Sequence, residues 1–430
     1  MKKILIILLF LTQIAGAQTI ADKLTNLNEA KINIRDAIAS QGIDMTGVPF
    51  TNYHISIAEI EGGGGASASL YIRPDDWLEL PEVLETDQKM VALFAVHEAQ
   101  KNIVAFTASG AYTVDWGDGV VEDFAAGAVA SHNYDYTDLA PETWSSRGYR
   151  QAILTITPQA GHNITSFGLS LYPATPRPNF PSYNFLDIVL SFPQCATFTL
   201  GYGLAGTGAG QHVLKMLESF EMKSPFLSVS TFANLFRDQL SLRQAILKNN
   251  GSVTAMNNTF RDCNSLTSVP LFDTSSVTNM GFMFHNCHAL TSVPLFDTSE
   301  VTTMQSTFNS CYSLASVPLF DTSSVTNMSH MFNFCYSLTS APLFNTPIVT
   351  NMTNMFQNCY ALKRLQAPIT RSTTLANASM EYEALVETIT ALVPFADQTL
   401  TITGNPGADA VMAAIADSTI TVPTGWTIAN

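Results

Sequence analysis

Several groups of residues in this chain have types and spacings that invite chemistry. His285, Cys287 and His288 form an H-x-C-H cluster, and imidazole with thiolate is a zinc ligand set. A zinc site also needs a second paired element at a matching distance, which the sequence lacks, so no metal site is expected. Asp115 and Asp118 set two carboxylates around a turn, as a cation loop would. D-x-x-D-G lacks the further ligands of a calcium loop, however, and turn hydrogen bonding is the favoured reading. Glu381 and Glu383 are two acids on the flank of a predicted helix, ordinarily a solvated face. The sequence contains no G-x-S-x-G, H-E-x-x-H or phosphate loop, so no catalytic residue, no enzyme activity and no cofactor is expected.

The remaining candidates come in rows. Asp273, Asp297, Asp321 and Asn345 recur every 24 residues beside Thr274, Thr298, Thr322 and Thr346. Such a row of polar groups could bind a glycan or a cation. Asp-Thr at a turn also caps its own backbone, which favours a structural role, although one row can do both. Five of the six cysteines form a second row, Cys263, Cys287, Cys311, Cys335 and Cys359, with Cys195 apart. An even count in an exported chain invites disulfides. The row lies on an apolar face, and buried free thiols are the favoured reading.

What positions these rows is a repeat. Val253, Met256, Phe260, Cys263 and Leu266 return at 24-residue intervals as far as Val349, Met352, Phe356, Cys359 and Leu362. A weaker copy, Val229, Phe232, Phe236 and Leu242, precedes them. A fixed period of this length marks a solenoid, in which each unit buries its apolar face only against its neighbours. Met328, Met331, Phe332 and Cys335 stand at i, i+3, i+4 and i+7, the spacing of one helix face, with Thr326 or Ser324 placed to cap it. Leu338 to Ala341 reads as a short strand ended by Pro342. Each repeat is therefore predicted to be a strand, a Leu-Phe-Asp-Thr turn and a helix. Six such coils, about 4.8 Å apart, would make a segment roughly 30 Å long. The pattern V-T-N-M-x-x-M-F-x-x-C-x-x-L-T-S-x-P-L-F-D-T resembles the BspA-type leucine-rich repeat of bacterial and phage surface proteins. That resemblance covers about a third of the chain and implies adhesion without naming a target.

Ahead of the repeats, residues 1–17 read as a signal-like leader: Lys2 and Lys3, an apolar run from Ile4 to Leu11, then Ala15-Gly16-Ala17. An uncleaved anchoring segment is the alternative. Ile20, Leu24, Leu27, Ala30, Ile34 and Ala37 give a helical stripe that Gly42 ends, within a helical attachment module over 18–61. The stretch from L-N-E-A-K-I-N-I to Y-H-I-S-I-A-E-I resembles a module near the start of many phage tail-fibre proteins; a plain helical hairpin or oligomerising stalk is the alternative. Residues 62–69 are a Gly/Ser linker.

Residues 70–175 are rich in short strand-like runs around Y-T-V-D-W-G-D-G, followed by His132 and Tyr134. These motifs resemble a polycystic-kidney-disease-type (PKD) Ig-like β-sandwich, with Trp116 in its core. Residues 176–228 form an irregular junction and solenoid N-cap, in which Phe185 to Phe192 reads as a strand. The repeats occupy 229–365. Residues 366–430 read as a C-terminal cap with a helix over Glu381–Val393, a strand Leu400–Thr403, a second element Ala408–Ala416 and a closing strand at Trp426. The expected fold class is thus a mixed α/β multidomain chain: helical module, β-sandwich, then a solenoid of strand–helix repeats.

A net charge of −15 with 13% charged residues argues against nucleic-acid binding, which needs a basic stripe. The expected function is that of a non-enzymatic phage virion protein: a tail or head fibre, or a receptor-binding decoration, on the virion surface. It would present the solenoid to a host cell-surface receptor or glycan, dock on other virion proteins through 18–61, and form a homo-oligomer, a trimer if it is a fibre. The alternative is a bacterial secreted or cell-surface adhesin with the same repeats, which the leader favours.

Overall fold

The computed structural model describes residues 71–99, 102–169, 184–200, 216–226, 229–248, 251–342, 344–365 and 369–430. The leader, the helical attachment module and the linker expected over 1–69 lie outside the described residues. The chain divides into two compact units, Met1–Arg73 and Pro74–Asn430, and the architecture below is that of the second.

Its first part is built from β1 (Lys89–Val96), β2 (Asn102–Ala108), β3 (Tyr112–Asp115), β4 (Val121–Phe124), β5 (Val129–Tyr134), β6 (Trp144–Ser145), β7 (Tyr149–Pro158), β8 (Ser166–Gly168), β9 (Phe185–Ser191) and β10 (Thr197–Thr199). Strands β10-β8-β2-β5 form a small sheet, while β9, β1, β7, β3 and β4 lie side by side in a larger one. β1 is apolar from Met90 onward because it is covered on both sides. One face shares the common core, and the other packs with Trp77, Tyr149 and Leu186. Phe106 of the small sheet sits 5.7 Å from Trp116 of the large one, joining the two layers.

The W-G-D-G turn that joins β3 to β4 explains its own sequence. Gly117 has φ 78°, and a Cβ there would stand 2.3 Å from the Ile153 carbonyl oxygen, so no larger residue fits. Asp115 accepts from the Gly117 N–H and Asp118 from the Val120 N–H, each closing a turn. Asp118 also bonds His132 Nε2 at 2.6 Å, and the imidazole stacks on Trp116 at 4.7 Å.

The large sheet does not stop at β9. Strands β11 (Ser219–Met222) and β12 (Gln244–Ile246) add to it in parallel, so antiparallel pairing gives way to parallel pairing at β9. The solenoid therefore grows directly on the edge of the sandwich sheet. Its core is continuous with the sandwich through Phe198, Phe220, Phe236 and Phe260, whose successive ring centroids lie 6.0, 4.9 and 5.4 Å apart.

Within the solenoid the mixed α/β class with strand–helix repeats is overturned. No helix occupies Met328–Cys335 or its counterparts; each coil there is a run of turns. Met331 N–H donates to Met328 O and Cys335 N–H to Phe332 O, with His330 at φ 56° and Phe334 at φ 60°. An i+3 to i bond with positive φ at i+2 is the signature of a type II turn. The intervening N–H groups of His330, Phe332 and Phe334 donate to Thr353, Met355 and Gln357 of the next coil. Half of the backbone donors thus close turns and half tie the coils together, the partner assignment that a β-solenoid requires. Single parallel bridges link Thr231, Ala255, Asn279, Thr303, Asn327 and Asn351 in order. The strand expected over Leu338–Ala341 is the two-residue β13 (Ser340–Ala341), paired with β14 (Arg364–Leu365).

The chain ends in β15 (Thr373–Thr374), α1 (Tyr382–Thr390), β16 (Gln398–Thr401), α2 (Ala408–Ala416) and β17 (Trp426–Ala429). The three strands form a parallel sheet. Among the described residues α-helix is confined to α1 and α2, so the molecule is predominantly β.

Candidate functional site

Because every coil repeats the same path, a side chain at one position recurs as a straight row, facing either inward or outward. Inward, Phe260, Phe284, Phe308, Phe332 and Phe356 stack at 5.4–5.6 Å with planes within 9°. The cysteine row lies beside them, and all six thiols of the chain are free and buried. Each repeat thiol donates to the carbonyl oxygen of a phenylalanine one coil back, as Cys311 does to Phe284 at 3.1 Å. Burial pushes these thiols up, to about 12 at Cys359, which suits packing and not nucleophilic chemistry.

The H-x-C-H residues do not converge. Cys287 belongs to the buried row and donates to Phe260 O at 3.0 Å. Burial, aided by the positive charge of Arg261, lowers His285 to about 4, and burial also lowers His288. Among the described residues no group of three or more His, Cys, Asp or Glu is arranged to hold a metal.

The structure places Asp273, Asp297, Asp321 and Asn345 in one exposed row, with Thr274, Thr298, Thr322 and Thr346 buried next to them. Asp273 Oδ1 accepts from the Ser275 N–H and hydroxyl at 3.0 and 2.7 Å; Asp297 with Ser299 and Asp321 with Ser323 repeat the arrangement. The serine hydroxyl, and then its N–H, holds the Asp297 and Asp321 carboxyls below the ordinary carboxylate range. Asn345 has Pro347 in place of that serine. The Thr274 and Thr298 hydroxyls donate hydrogen bonds to the backbone carbonyl oxygens of Asp297 and Asp321, at 2.8 and 2.7 Å. The three aspartates are therefore each committed to their own turn through one carboxylate oxygen. Leu271, Leu295 and Leu319 are exposed alongside it.

A second outward row was not singled out from the sequence. His288, Tyr312, Tyr336 and Tyr360 form a stack with centroid distances of 4.3, 4.6 and 5.0 Å and interplanar angles of 4°, 10° and 24°. The signal was present: each ring is the residue directly after a ladder cysteine, the first variable position of C-x-x-L.

A family model described as "Mycoplasma protein of unknown function, DUF285" matches residues 213–317 and 291–384, two overlapping stretches that together cover the repeats. The repeat segment fits a BspA-type repeat protein. No curated protein matches the chain. BspA-type repeats stacked into a solenoid are compatible with a recognition or adhesion role, and the match stops short of both the sandwich and the last 46 residues.

Proposed function

We propose that this chain is a non-enzymatic recognition protein of a phage virion: a tail or head fibre, or a receptor-binding decoration, that presents its solenoid to a host cell-surface receptor or glycan. The observation that carries this reading is the 24-residue register of the coils, which turns outward side chains into straight, regularly spaced rows over an extended surface. A surface of that kind suits a ligand that is itself extended or repetitive. Residues 18–61 would dock on other virion proteins and gather chains into a homo-oligomer, with a trimer as the working expectation. The W-G-D-G turn, with His132 stacked on Trp116 and the Tyr134 hydroxyl donating to the Trp116 carbonyl, supports a PKD-like role for the sandwich as a spacer.

A bacterial secreted or surface adhesin is the second reading, favoured by the leader-like residues 1–17. Mass spectrometry of purified virions and of host envelope fractions separates the two. Peptides of this chain in particles establish the virion reading. Their confinement to the envelope, with an N-terminus at Gln18, replaces it with the adhesin.

A further inference from the structure

We propose that the ring ladder His288–Tyr312–Tyr336–Tyr360 is a binding site for an uncharged polysaccharide lying along the solenoid axis; this rests on the recognition reading above. The rings stack on one another, so their edges face outward at intervals close to the coil spacing. Tyr360 is half exposed where Ser379 takes the place of a further ring, its hydroxyl donating to the Tyr360 carbonyl. No hydrogen bond within the protein engages the phenol hydroxyls of Tyr312, Tyr336 and Tyr360 among the described residues, which leaves a line of groups that can both donate and accept. Tyrosine offers this mixed apolar and polar contact at low conformational cost.

Two observations select the ligand class. The rows flanking the ladder are Asn286, Ser310, Phe334 and Asn358 on one side and Ala289, Ser313, Ser337 and Ala361 on the other; none of these residues carries a formal charge, and the first row continues one coil back to an acid, Asp262, which accepts from the Asn286 amide. A phosphate-bearing or other polyanionic chain would find no counter-charge there. A peptide strand would need open backbone groups, yet the N–H groups of Asn286, Ser310 and Phe334 already donate to Asn309, Asn333 and Gln357 of the next coil. What remains is a ligand of hydroxyls and C–H faces with no charge, repeating along its length, which describes a neutral glycan.

The test uses the full chain in affinity electrophoresis through gels containing a β-1,4-glucan, a β-1,3-glucan, an α-mannan, a galactan or, as the anionic contrast, polygalacturonate. Binding to intact host cells is measured in parallel. At least one neutral polymer should retard the protein more than polygalacturonate does. The triple variant Tyr312→Ala/Tyr336→Ala/Tyr360→Ala should lose about tenfold or more of that affinity. The corresponding triple Phe variant, which keeps the stack, should retain an intermediate affinity, and Asp273→Asn/Asp297→Asn/Asp321→Asn should retain all of it. Circular dichroism confirms that each variant is folded. Cell binding with no retardation by any neutral polymer, or cell binding unchanged in the Ala variant, overturns the glycan site and leaves the recognition reading standing. Retardation that depends on the ladder, without cell binding, keeps the site and removes host recognition.

Discussion

His330 offers a direct test of the turn architecture. It occupies the third place of the Met328–Met331 turn at φ 56°, in the left-handed region. Replacing it with alanine or with glycine removes the same ring and the same weak 3.4 Å contact with Asn333, so the difference between the two variants isolates the backbone. A residue with a Cβ costs about 1–2 kcal/mol in that region, whereas the extra unfolded-state freedom of glycine costs about 0.5–1 kcal/mol. His330→Gly should therefore be more stable than His330→Ala by about 0.5–1 kcal/mol. A helix would reverse the order, because glycine in a helix interior is about 1 kcal/mol worse than alanine. Equilibrium urea unfolding of both variants reads the sign from the transition midpoints at a common slope. The same pair at Phe334, with φ 60°, provides a second site. Alanine outranking glycine at both positions would refute the turn reading of the repeat.

Other predictions concern the rows. Phe308→Ala removes a buried ring 5.6 Å from each neighbour in the stack and should cost about 3–5 kcal/mol in urea unfolding; a loss below about 1 kcal/mol would contradict the packing. A thiol reagent at pH 8 should label none of the six buried cysteines until denaturant is added, and reductant should leave the melting temperature unchanged. Rapid native labelling would mean that the coils open. Asp297 and Asp321, held low in the folded state, contribute stability that is present above the ordinary carboxyl range and lost as pH falls through their folded values. Ser323→Ala should move the Asp321 carboxyl back up in an NMR pH titration, and an unmoved titration would show that the hydroxyl does not hold it.

The inward rows were legible because burial selects residue type: the places of Phe308, Cys311 and Leu314 are buried in every coil, and they are apolar in all except the first, where Gln239 stands at the cysteine place. Local path was harder to read. Met328, Met331, Phe332 and Cys335 match a helix face, but a four-residue turn that sends its first and last residues inward produces the same spacing. The discriminating signal was the residue between them. Asn258, Asp262, Asn286, Asn354 and Asn358 occupy left-handed positions, where Asn and Asp are the side chains best tolerated after glycine. At other places in the same register Phe282, Ser306, His330 and Phe334 take those positions, held there by the bonds to the next coil, so the signal faded where tertiary structure overrode preference.

The sequence by itself determined the period, the identity of the buried ladder residues and the tight turn at Gly117, because each depends on contacts that every copy of a motif must make. Tertiary structure alone decided where the solenoid begins. β11 joins β9 in parallel, and nothing local to Ser219–Met222 specifies a partner some thirty residues upstream. It also decided that four residues on separate coils, His288, Tyr312, Tyr336 and Tyr360, become one continuous surface. Stacking exists only once the hydrogen-bonded coils bring equivalent positions into van der Waals range.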